Sequence, residues 1–233
     1  YSCIKAWVAL KFLLSMLDSR MRLFILIFLL LLCRAATAIA LQANPSKVND
    51  TSRVNLLNGL ATSLRETDHD VALRYAEEAY QLARELEYLK GKATALGNLG
   101  WIYYRKADFV KALQLSIESM KIAEELGDKA EMARAMNSIA AVSFEQKQYT
   151  KALAEFRKAL ALGYEAREDK VVGRTLNNMA YLFLSVNNQV DSAEFYCRQA
   201  VAYTERTKDS YLTSFGLRTM GDILIQRGKI DEA

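Results

Sequence analysis

The sequence predicts an all-α solenoid of antiparallel helix pairs, and three observations carry that reading. Ala72, Ala112, Ala152, Ala193 and Ala233 recur at steps of 40, 40, 41 and 40 residues. A second column of small residues, Ala61, Gly100, Ala140, Ala180 and Gly221, keeps phase with the first at steps of 39, 40, 40 and 41. The 233-residue chain is 52% hydrophobic with one proline and ten glycines, which suits helices that bury a sizeable core. A period near forty in a helical sequence marks stacked helix pairs, each too small to bury its apolar face alone.

Taken in order, residues 1–20 open on Tyr1 and read as translation upstream of a start at Met21 or Met16, so they are set aside from the fold. Met21-Arg22, the uncharged run Leu23 to Leu32, and Ala36, Ala38 and Ala40 at alternate positions make residues 21–40 a secretory signal, cleaved after Ala38 or Ala40. Arg34 breaks the apolar run, which argues against a spanning helix of about 20 residues. A lipoprotein signal would resemble a pattern with a small residue before Cys33, and Leu32 stands there. An uncleaved anchor stays open as the alternative. Residues 41–50, with Asn44-Pro45-Ser46-Lys47, read as a linker.

The repeats then run over residues 51–89, 90–128, 129–169 and 170–209, with an incomplete fifth at 210–233. Each first helix carries an i, i+3, i+4, i+7 set: Leu57, Leu60, Ala61, Leu64; Leu96, Leu99, Gly100, Tyr103; Met136, Ile139, Ala140, Ser143; Leu176, Met179, Ala180, Phe183. The small member lets a second helix approach, and a large side chain there overpacks by about 1–3 kcal/mol. Second helices are expected over 71–86, 109–126, 149–162 and 191–206, with Asp108 and Asp191 as N-caps and Gly127 as a left-handed stop. One extra residue in the turn Val186-Asn187-Asn188-Gln189-Val190 accounts for the step of 41. The array stops at Ala233 where a second helix begins, which would leave the face of its last helix uncovered. The sequence therefore reads as truncated before any output domain.

Charge and chemistry exclude whole classes of function. The net charge of +4 comes from residues 1–40, which hold five basic side chains and one acid, so residues 41–233 carry 26 of each sign. A neutral array lacks the clustered basic footprint of a nucleic-acid binder. Cys3 and Cys33 lie in the leader, which leaves Cys197 without a disulfide partner and no zinc set. His69 falls in the charged run Arg65 to Asp70 and reads as a solvated turn residue. Gly97-Asn98-Leu99-Gly100 follows no strand and is not a phosphate loop. No nucleophile, metal set or cofactor motif is present, so catalysis and cofactors are not expected.

Asn98-Leu99-Gly100 with Tyr103, Tyr104, Asp108, Phe109 and Ala112, continued by Ala152, Phe156 and Ala159, resembles the tetratricopeptide repeat in a 40-residue form, over residues 51–233. Ser116 and Ser119 depart from it, standing where an aromatic and an alanine are usual, and the prolines that end many such repeats are absent. The resemblance implies a right-handed superhelix of about four and a half repeats whose first helices line a concave groove for a protein or peptide. On that wheel Thr94, Asn98, Trp101 and Arg105 face the groove, with counterparts at Arg134, Arg174, Asn178, Tyr181 and Phe215, while Asn58, Asn137, Asn177 and Arg218 lie at its edge. Trp101 and Tyr181 are read either as groove anchors or as side chains packed between repeats. The lysine and asparagine clamp of the chaperone-tail binders is not reproduced. The 40-residue form also resembles exported arrays of bacterial signalling proteins, including the region before the membrane helix of sensor histidine kinases. The expectation is thus a periplasmic or extracytoplasmic sensing or interaction segment. A regulatory part of a histidine kinase and a membrane-tethered scaffold are the alternatives, with membrane contact only through an uncleaved signal or a missing C-terminal segment.

Overall fold

Helices follow from the apolar spacing and from carboxylate caps set at repeating intervals. The computed structural model describes residues 45–186 and 189–232. Over them run α1 (Pro45–Leu64), α2 (His69–Glu85), α3 (Leu89–Arg105), α4 (Phe109–Leu126), α5 (Lys129–Glu145), α6 (Tyr149–Ala166), α7 (Asp169–Ser185), α8 (Val190–Arg206) and α9 (Ser210–Gln226), then a 3-10 turn Ile230–Glu232. No strand occurs among the described residues. The fold is an all-α repeat solenoid in which α1, α3, α5, α7 and α9 are the first helices and α2, α4, α6 and α8 the second. The signal read at 21–40, residues 1–20, the turn residues Asn187 and Asn188, and Ala233 lie outside the described residues.

Four of the helix starts share one device. Asp68, Asp108, Asp128 and Asp209 each accept the backbone N–H three residues on, from Val71, Lys111, Glu131 and Leu212, all at 3.1 Å. Each such cap contributes about 0.5–2 kcal/mol. Asp191 does not cap α8, contrary to expectation. That helix starts one residue earlier behind Gln189, which makes no side-chain cap bond, and Asp191 instead pairs with Arg227. Helix α1 opens on Pro45, within the segment read as linker, because proline suits a first helical position that needs no N–H partner. His69 begins α2 and is half-buried, not a solvated turn residue. Gly127 stops α4 with φ 65°, and the turns at Glu87, Ala107, Lys147, Arg167 and Lys208 take the same left-handed conformation without glycine. A non-glycine residue there costs about 1–2 kcal/mol.

The two small columns meet where helices touch. Ala61, Ala72, Ala140, Ala152, Ala180 and Ala193 are fully buried, as is Ala112 within a per cent. A Cβ on Gly100 would stand 2.6 Å from Ser116 Oγ and 3.3 Å from the Ala112 backbone oxygen, so the two columns are in direct contact there. Around them Ala140, Ala152, Phe156, Met179, Phe183 and Cys197 form the largest core cluster. Burial pushes the Cys197 thiol up to about 11, and it donates to the Gly216 oxygen, so this lone cysteine is a core residue.

First helices are buried on more than the one face the wheel assigns. In α3, Leu96, Leu99 and Gly100 are buried as expected, but so are Ala93, Asn98 and Trp101. The reason is architectural: α5 packs against α3 and α7, and α7 against α9, so each inner first helix also serves as wall for its neighbours. Second helices show the simpler one-sided pattern, with Ala112, Ser116, Ser119 and Ala123 buried on α4. No helix among the described residues is long and apolar enough to cross a membrane.

Ala140→Leu inserts three carbons where no space exists, and is expected to lower stability by about 1–3 kcal/mol, read as a fall in thermal midpoint. An unchanged midpoint would show that the columns do not set the helix spacing.

Candidate functional site

First helices, packed side by side, jointly wall a cleft of about 670 Å³ that reaches from Asn55 on α1 to Tyr211 on α9. Its floor is made of asparagines that tie one repeat to the next. The Asn58 amide donates to the Gly91 oxygen at 2.9 Å, and the Asn177 amide to the Leu212 oxygen at 2.9 Å. Asn98 donates to the Asn58 oxygen, while Asn137 Oδ1 accepts from Thr175 and Asn178. Asn58, Asn98, Asn137 and Asn177 are buried, with their side chains turned to the stack rather than to open solvent. An unpaired donor inside the stack would cost about 1–3 kcal/mol, and the chain uses the N–H groups of Asn58, Asn98 and Asn177 itself, while Asn58 Oδ1 and Asn177 Oδ1 are buried without a partner.

At the centre stands one carboxylate. Glu66, in the turn after α1, reaches Arg174 on α7 at 2.6 Å, across 108 residues of sequence. The same oxygen accepts the Trp101 indole N–H at 2.8 Å, and Arg105 Nε lies 3.9 Å from the other. Arg174 and Arg65 lie over the Trp101 ring at 4.6 and 5.8 Å, and Arg65 also donates to Asn98 Oδ1. Burial alone would push the Glu66 carboxyl up, but Arg174, Arg65 and Arg105 outweigh it and hold it below the usual 4.5. Burial, with the like charge of Arg174, pushes the Arg65 guanidinium down to about 9, so its charge persists at neutral pH. The Tyr211 hydroxyl is pushed up by burial and by the charge of Glu66, and stays protonated.

A second carboxylate, Glu131 on α5, is buried where Gly97 leaves room: a Cβ at Gly97 would sit 2.6 Å from Glu131 Oε1. Thr94, Ser119 and Arg134 surround it at 3.1, 3.4 and 3.3 Å. Here the departures from the repeat pattern find their cause. Ser119 serves this carboxylate and the Ala93 oxygen, and Ser116 is small enough to lie against Gly100.

Beside the cleft is a smaller cavity of about 200 Å³, lined by Trp101, Tyr104, Phe144, Tyr181, Phe215 and Arg218 among others. The Tyr181 ring lies tilted against Phe144 at 5.7 Å and Phe215 at 6.2 Å, one ring from each of three successive repeats, and is 40% exposed. Of the two aromatics left open by the sequence, Trp101 therefore packs between repeats and Tyr181 stands in the wall. Arg134 bridges Glu131 and, at 3.6 Å, Glu168. Arg218 is exposed, with its guanidinium 5.3 Å from the Phe215 ring and no carboxylate partner among the described residues. Sequence reasoning missed Arg65, Glu66, Glu131 and Phe144. Arg65 and Glu66 belong to a charged run that reads as a solvated turn, and only the curvature of the array turns it inward.

Residues 52–125 match one tetratricopeptide repeat model and residues 132–166 another, so these segments carry tetratricopeptide repeats; neither match is to a catalytic family. No curated protein matches the chain. Among solved structures it is similar to BtubC (BKLC) from P. vanneervenii, at 20% identity over 86% of this chain and 82% of that one, with a TM-score of 0.59. It is similar also to aspartyl phosphate phosphatase F from Bacillus subtilis, at 17% identity over 78% of this chain, with a TM-score of 0.61, and spans about half (48%) of that protein. A Podosopora anserina chain of nearly identical TPR-like repeats matches at 15% identity over 78% of this chain and 90% of that one, with a TM-score of 0.51. These likenesses show the fold.

Replacing Glu66 by Ala leaves Arg65 and Arg174 facing each other without a counter-charge, and is expected to cost about 3–5 kcal/mol at pH 7, read from urea midpoints. A carboxyl held below its ordinary value stabilises above that value and loses the contribution as pH falls through the folded one. The gap between wild type and Glu66→Ala should therefore be full near neutrality and close below about pH 4. A gap independent of pH would mean that Glu66 is not ionised in the groove.

Proposed function

We propose that this tetratricopeptide-repeat array is a non-catalytic interaction module that holds an extended segment of one partner protein along the groove of its first helices. The observation that supports the reading is the cleft itself, walled by five successive repeats and lined by six cations against four carboxylates. An acidic segment complements that excess, and the ring cavity beside it takes one apolar side chain of the same segment. Buried asparagines set the wall spacing, while exposed Tyr181, Arg218 and part-exposed Arg105 are left to meet a ligand. Aromatic and arginine side chains at the rim of a preformed cavity are the groups that dominate such contacts.

The extracytoplasmic setting belongs to the same proposal and rests on residues 21–40: the bound segment would be a sensed signal or an assembly partner in bacterial signalling. N-terminal sequencing of protein from its host is expected to find Ile39 or Leu41 first; an end at Met21 overturns the export reading.

A photo-crosslinking side chain at Asn178, in the groove, is expected to capture the partner, and one at the outward-facing Val110 is not. The captured segment should then bind Tyr181→Ala with Arg218→Glu at least about tenfold more weakly, with helical circular dichroism unchanged. Capture from Val110 alone would place the partner on the other face.

A further inference from the structure

The groove holds a carboxylate of the chain's own, satisfied at one oxygen and not at the other. Glu66 Oε2 and Arg65 Nε are both buried without a hydrogen-bond partner. Three guanidiniums, of Arg65, Arg105 and Arg174, face one carboxylate that is 8% exposed. Glu66 sits in the short turn between α1 and α2, whereas Arg174 and Trp101 are fixed on packed first helices. Two of the three cations, Arg105 and Arg174, thus sit on packed helices, while Glu66 and its neighbour Arg65 are carried by a turn.

Resting on the groove reading, we infer that Arg174, Arg65, Arg105 and the Trp101 indole N–H form a carboxylate-binding site, and that Glu66 is its displaceable internal occupant. The ligand is an acidic side chain of an extended partner segment. Exchange replaces one carboxylate by another on the same donors, so the buried cations never go unpaired, and Glu66 regains water as it leaves. Because Glu66 is tethered it competes at high effective concentration, and a ligand must add contacts elsewhere in the groove to win. Glu66 therefore acts as a filter that admits segments matching both the carboxylate site and the neighbouring wall, while isolated acids are refused.

Two fluorescein-labelled, C-terminally amidated twelve-residue probes test this, one alternating Gly and Glu, the other Gly and Gln. Glu66→Gln is expected to bind the acidic probe at least about tenfold more tightly than wild type, with no gain for the Gln probe. Adding Arg174→Ala should abolish that gain, since the two residues share one site. If circular dichroism shows Glu66→Gln unfolded, Glu66→Asp, which keeps the charge but withdraws it by one methylene, should still tighten the acidic probe. Equal or weaker binding by the folded variant overturns the inference, as does failure of the acidic probe to bind any folded form. Neither result touches the groove reading, which stands or falls on where the crosslinked partner is captured.

Discussion

Close approach between helices is the constraint from which the rest follows. At Gly100 the facing backbone of α4 stands where even one methyl group would crowd it, and fully buried alanines hold the corresponding positions in the first, third and fourth repeats, where one methyl group fits. Fixing that spacing in every pair fixes the pitch at which pairs stack. Helix packing in such an array is between neighbours, so most of its stability is a sum of local terms and its shape a sum of small rotations. A groove is what those rotations leave on the side of the first helices. No residue at the groove floor has to be strained to create it, and the chain can devote the floor to polar ties, as Asn58 and Asn98 show.

The fold was almost wholly legible in the sequence because it depends on a period. Two columns of small residues fix helix number and pairing, and Asp108 and Gly127 mark one helix with its observed bounds. What could not be read depends on contacts between repeats. A helical wheel for α3 divides it into inside and outside, yet Asn98 and Trp101, on the supposed outside, are buried against α1 and its turn. The wheel describes one helix against one partner, and an inner first helix in this array has four. Asp191 illustrates the same limit locally: an aspartate near a helix start caps only if its backbone sits one step earlier, which Gln189 occupies instead.

The candidate site was legible in part. Arg174, Trp101, Tyr181 and Arg218 lie where the groove reading needs them, because helical phase alone carries a residue to that side. Their charge partners were not legible. Glu66 is 108 residues from Arg174, and its surroundings, Arg65 through Asp70, have the composition of exposed turn. Glu131 was hidden for a different reason: its room is created by the absence of a side chain at Gly97, a residue that by itself reads only as a gap in the helix pattern.

Buried carboxylates also separate the needs of the stack from those of the groove. Glu131 is enclosed by Thr94, Ser119 and Arg134, all in its own or the preceding repeat, so it serves the local interface as a buried tie. Glu66 ties its own repeat to the next through Trp101 and then reaches past it. Its partners lie on the second and fourth repeats, and a solenoid held by neighbours has no use for a bond between its first and fourth members. Burying a charged pair seldom stabilises more than an apolar contact of the same size would. A bond with that cost, placed in a cleft walled by all five first helices, fits the proposed exchange with a bound carboxylate better than a purely structural role.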